Sequence, residues 1–154
     1  MKMSFMKFST LFGPLCFLVL LGCASTISTY DQYAYVQTTS LKVEALALMD
    51  KAIDSVSKYL PAIEKIEIKL NKAYEYEKGR PNNEISTQMW EILRSPDKHL
   101  LGGLLKRWRD EIRLSAGFID NEKKLIGEAF DIIAGLESKK IKQPDAQSKF
   151  QKLL

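Results

Sequence analysis

Apolar side chains recurring at every third or fourth position run through most of this 154-residue chain, and they restrict it to helices packed on helices. Leu46, Met49, Ile53, Val56, Leu60, Ile63 and Leu70 form one stripe between Leu41 and Lys78, interrupted at Glu67. Asp54 and Lys58 add an i,i+4 pair in the favoured order. Pro61 lies inside the stripe. Because the pattern continues in phase beyond it, the reading is a kink, not an end. Thr39 or Ser40 would cap the start of this helix, and Gly79-Arg80-Pro81-Asn82-Asn83 stops it. Asn83 then caps a short helix, EISTQMWEILR, with Ile85, Met89, Ile92 and Leu93 on its apolar face and Trp90 beside it. At about three turns it must dock on something to persist.

The second long stripe follows Ser95-Pro96, a pair read either as a loop or as an N-cap with proline at the first position. At about 100° per residue, Leu101, Leu104, Leu105, Trp108 and Ile112 centre about 90° round from Phe118. Phe118, Ile119, Leu125, Ile126, Ala129, Phe130, Ile132, Ile133 and Leu136 centre at about 40°. A drift of that size is what a 3.5-residue repeat produces in a left-handed pack. Residues 99–140 therefore read as one long helix, bent near Ser115-Ala116-Gly117, with its glycines allowing close approach by a partner helix. The expected fold is all-α and bundle-like, with two long antiparallel helices (about 40–78 and 99–140) and a short third helix (about 84–94) at the turn between them. Two helices alone bury little, so the short helix, the tether and the tail must close the open face, or a second copy or another protein must do so. The tail, KIKQPDAQSKFQKLL, is read as a frayed end or a short docked helix.

The N-terminus has a different character. Lys2 and Lys7 precede an uncharged run from Phe8 to Gly22. That length suits a signal-peptide core and falls short of the roughly 18–20 residues that span a bilayer. The run ends in Leu20-Leu21-Gly22-Cys23. This order of charged start, apolar run, small residue and cysteine resembles the lipobox of bacterial lipoproteins, over residues 1–23 alone. The resemblance implies cleavage after Gly22, a diacylglycerol on the Cys23 thiol and, usually, an acyl chain on the freed amine. Two or more chains anchor stably where one does not. Ala24-Ser25 in place of an aspartate implies, for enteric-type bacteria, sorting to the outer membrane. The expected division is a signal peptide (1–22), a lipidated tether (23–39), a helical domain (40–141) and a polar tail (142–154).

Charge and cysteine content narrow the function classes. Cys16 and Cys23 are the two cysteines, so the mature chain would carry no free thiol and no disulfide. From residue 23 onward, 21 basic side chains face 19 acidic ones, a balance that argues against nucleic acid as a partner. No cofactor or metal is expected. His99 is the single histidine, read as an exposed or half-buried turn residue, and a metal site needs several ligands. No phosphate loop or Ser-His-Asp set is recognisable. Two acids interrupt apolar stripes. If the helices are antiparallel, Glu67 comes level with Arg107 to Glu111, and Glu122 with Val56 to Lys58. Buried pairs Glu67–Arg107 and Glu122–Lys58 would then set register, and the alternative is that both acids reach water at the stripe's edge. Lys106, Arg109 and Arg113 read as one basic helix face: a solvated surface, or a docking patch for an anionic partner. The expected function is that of a non-enzymatic lipoprotein, held to the membrane by its N-terminal lipid, that binds another envelope component. The alternatives are a self-associating structural lipoprotein acting as a homodimer, and a carrier or enzyme for lipids or cell-wall fragments, which would need a concave pocket.

Overall fold

A computed structural model describes residues 30–154, so the lipobox-like stretch and Cys23 lie outside the described residues. Six α-helices follow one another: α1 (Gln32–Met49), α2 (Leu60–Lys78), α3 (Glu84–Arg94), α4 (Leu101–Glu111), α5 (Ala116–Glu137) and α6 (Gln143–Gln151). A single 3₁₀ turn, Val56–Lys58, separates α1 from α2, and the described residues contain no strand. The all-α, bundle-like expectation holds. The two long helices do not, because each is two helices.

The first split falls at residues 50–59. Pro61 sits in the opening turn of α2. There its missing N–H would have no intrahelical acceptor anyway, so it starts a helix instead of kinking one. The stripe residues Ile53 and Leu60 are exposed while Val56 between them is buried, so the stripe does not run on as one packed face across this point. The second split centres on Ile112, with φ 67° and ψ −38°. The Arg113 N–H donates to the Glu111 carbonyl at 2.7 Å, closing a γ-turn of the strained hand. The Leu101–Ile112 and Phe118–Leu136 arcs therefore differ in angle because they belong to two separate helices. The two breaks lie against each other: Val56 N donates to Ile112 O at 2.9 Å and Leu114 N to Ala52 O at 2.8 Å. A 38-residue helix would be about 57 Å long and leave most of its surface uncovered. Breaking each stripe folds it back and closes a core.

Three ion pairs and a hydrogen bond fix the directions. Lys42–Asp131 and Asp50–Lys123 run α1 antiparallel to α5. Glu44–Lys69 and Asp31–Tyr76 make α1 and α2 an antiparallel hairpin. α3 lies across α2, α5 and α4, and α6 packs on α5 and α3. The core holds Trp90, Trp108, Phe130, Phe150, Leu70 and Ile126, all fully buried, with Trp90 edge-on to Phe130 at 6.0 Å. Gly102 and Gly103 admit the turn that precedes α4. A Cβ on them would stand 2.1 Å from the Arg94 carbonyl oxygen and 1.8 Å from that of Lys98. At these two glycines the close approach is by the end of α3 and this turn, whereas Gly127 of α5 faces Lys42 and Leu46 of α1 at 3.8 Å, a partner helix as expected.

Two terminal boundaries also move. α1 begins at Gln32, not near residue 40, so the expected tether loses residues 32–39 to the helix. Asp31 is the cap, accepting from Tyr33 N at 2.8 Å and Ala34 N at 3.1 Å. Thr38 and Thr39 instead donate back to the carbonyls of Ala34 and Tyr35, at 2.8 and 3.0 Å, which lets them sit inside a helix. At the other end the polar tail contains a docked helix, α6, which buries Ala146 and Phe150.

Candidate functional site

The residues singled out from the sequence gather on α4 and its surroundings, but not as one face. The turn before α4, the outer side of α4 and the start of α5 enclose an open groove of about 710 Å³, lined among others by Asp97, His99, Lys106, Arg107, Phe118 and Glu122. Its charges are of both signs and largely paired locally. Lys106 meets Asp110 at 2.8 Å, and Arg107 meets Glu111 at 2.7 Å. The Arg107 guanidinium also lies 4.1 Å from the centre of the Phe118 ring, within cation–π range. His99 is exposed, on the wall of this groove. Glu122 is half-buried. Burial raises its pKa, against the opposing charges of Arg107 and His99.

Arg109 turns away from the groove. Its two terminal nitrogens grip Glu67 of α2 at 2.6 and 2.7 Å, a bidentate geometry, and that pairing raises the Arg109 pKa. Glu67 therefore lies level with α4 as expected, but its partner is Arg109 and not Arg107. The pair is a third exposed rather than buried, so Glu67 reaches the edge of its stripe. Lys58 is exposed, and no ion pair joins it to Glu122 among the described residues. Arg113 lies beyond the Ile112 turn, off the end of α4, with its side chain exposed. The expected trio of Lys106, Arg109 and Arg113 is thus divided among a groove wall, an interhelical clamp and a loop.

A second constellation went unread in the sequence. Glu77, in the last turn of α2, and Glu137, the last residue of α5, are both buried and share one guanidinium. Arg80 Nη1 lies 2.6 Å from Glu77 and 2.5 Å from Glu137. Asn83 donates to the Glu77 carboxylate and, at 3.1 Å, to its carbonyl, while Ser86 donates to Glu137. Arg80 Nε stands 3.7 Å from Asp31, which also accepts from the Tyr76 hydroxyl. This bond lowers the Asp31 pKa and raises that of Tyr76 to about 12. With two buried carboxylates against one shared cation, desolvation and then the Glu137 charge push Glu77 up to about 7. The cluster ties α1, α2, α3 and α5 together at one pole and shifts the Glu77 carboxyl towards its protonated form. Asn83 occupies the expected cap position of α3, but its side chain serves Glu77 and not the helix. One signal was available: both glutamates stand in the final turn of a helix, where the macrodipole disfavours an anion unless a cation compensates.

Among the described residues, no group of three His, Cys, Asp or Glu side chains is arranged to hold a metal ion, and no helix is long and apolar enough to cross a membrane. Comparison with family models, with curated proteins and with solved structures finds no match to this chain.

Proposed function

We propose that this chain is a lipid-anchored bacterial envelope protein without catalytic activity, whose helical domain binds another envelope component. One observation carries the reading: Cys23, at the end of Leu20-Leu21-Gly22-Cys23, stands eight positions ahead of Asp31, the cap of α1. Eight residues reach at most about 28 Å. A lipid on Cys23 would confine the domain to a thin layer and raise its effective concentration for partners there. The groove of α4 supports a binding role, since an open trough lined by both charges suits a protein segment better than an enclosed small molecule. Lys106 on its wall and Arg113 beyond it are the proposed contacts, with Arg109 as a clamp behind them.

The test is mass spectrometry of the protein from its native host. The expected species begins at Cys23 and carries a diacylglycerol. An uncleaved leader or an unmodified thiol overturns the proposal. Cross-linking in the intact envelope should then capture one partner, with recovery reduced at least about tenfold, or 1.4 kcal/mol, by Lys106→Glu combined with Arg113→Glu. Equal capture removes the groove from the proposal.

Self-association is the second reading. It draws on the outer side of α1, where Tyr33, Val36 and Val43 are more than half exposed or nearly so at helical spacing. The mass of the unlipidated chain in solution decides: a dimer supports it, a monomer does not.

A further inference from the structure

The excess positive charge of this chain is not spread over the bundle. Residues 30–137 hold 16 basic and 18 acidic side chains. Residues 138–154 hold five lysines, Lys139, Lys140, Lys142, Lys149 and Lys152, against one acid, Asp145. All five are exposed, and no ion pair engages them among the described residues. That contrasts with the three basic residues of α4, all of which are paired with acids.

Their position is set by the buried cluster. Glu137 is joined to Arg80, and Arg80 stands 3.7 Å from Asp31, the residue through which the N-terminal chain enters the bundle. Immediately after Glu137 the chain turns back. Lys139 takes a left-handed conformation with φ 58°, its N–H donating to Leu136 O, and Ile141 N donates to Gly135 O. Lys139, Lys140 and Lys142 are therefore displayed at the entry pole itself. Lys140, Lys149 and Lys152 line one shallow groove along α6. Ala146 and Phe150 pin that helix from behind, so Lys149 and Lys152 face outward from it.

We propose that the α5–α6 turn and the outer side of α6 form a docking surface for anionic phospholipid headgroups, which seats the entry pole of the bundle on the bilayer. The inference rests on the anchored reading above for the proximity of a membrane, but the charge segregation and the placement of the lysines are independent of it. Each lysine near an anionic surface is worth about fivefold in binding at physiological salt, and the attraction decays within a Debye length. A group of exposed lysines without ion pairs suits a plane of headgroups, where geometry is permissive and charge density is high.

The test is amine footprinting of the full chain, purified from its host and mixed with vesicles of phosphatidylcholine alone or with about 30% phosphatidylglycerol. The expected result is that acylation of Lys139, Lys140 and Lys142 slows at least about fivefold on the anionic vesicles, recovers in high salt, and leaves Lys58 and Lys106 unaffected. Equal rates on the two vesicle types, with the chain bound to both, overturn the inference and make an acidic protein the fitting partner. A chain absent from phosphatidylcholine vesicles overturns the anchor reading instead. The lysines are then judged on anionic vesicles against free protein, where unchanged rates overturn the docking surface too.

Discussion

Two residues at the finest scale store free energy in opposite ways. Glu77 is shifted towards its protonated form because its charged form is desolvated beside Glu137 with a single shared arginine. Its folded pKa, about 7, lies above the ordinary 4.5. The folded state therefore binds more protons than the unfolded one between those values, so stability is fullest below the lower value and is lost as pH rises through the upper one. Urea unfolding at pH 5 and pH 8 is expected to show the wild type weaker at pH 8, by up to about 3 kcal/mol. Glu77→Gln should flatten that slope, and an unchanged slope would place the proton elsewhere. Ile112 is the other case. A β-branched residue at φ 67° costs about 1–3 kcal/mol of backbone strain, and its side chain is more than half exposed, so packing returns little. Ile112→Gly is expected to stabilise by about 1 kcal/mol in the same assay, after the entropy of glycine is subtracted.

At the scale of elements, the helix ends decide the architecture. A proline that kinks a continuous helix costs about 3 kcal/mol, whereas one in the first turn costs almost nothing. Pro61→Ala thus separates the two readings: a change of less than about 1 kcal/mol is expected, and a gain near 3 would restore the continuous helix. α6 gives a second check at this scale. It is short and largely polar, yet Phe150 is 1% exposed beneath it. Phe150→Ala should cost about 3–5 kcal/mol by denaturant unfolding, where a frayed tail would show no loss.

Considered as a whole, the molecule has two unlike poles. One holds the two helix breaks, hydrogen-bonded to each other through Ala52, Val56, Ile112 and Leu114. The other holds the chain entry at Asp31, the buried glutamates and the unpaired lysines after Glu137. Arg80 joins the parts of the second pole. Replacing it by Met leaves the Glu137 carboxylate, and at pH 8 that of Glu77 as well, buried without a cation, at an expected cost of about 3–5 kcal/mol in denaturant unfolding at pH 8. A smaller loss at that pH would mean that water already compensates them.

Much of this was legible in the residues alone. Periodicity required helices, the Gly79–Asn83 run ended α2, and α3 occupies the stretch read for it, Glu84–Arg94. Those features are local: they depend on side-chain spacing and on backbone groups within a few positions. What the tertiary structure decided is non-local. A break that preserves apolar phase is invisible to periodicity, because Ile53 and Leu60 match the stripe whether or not anything covers them. The register of α2 against α4 was readable to within a few residues, but the choice of Arg109 over Arg107 as partner to Glu67 turns on a fraction of a helical turn. The cluster of Glu77, Arg80 and Glu137 joins residues 57 positions apart, and only the folding-back of both stripes brings them within reach of one another.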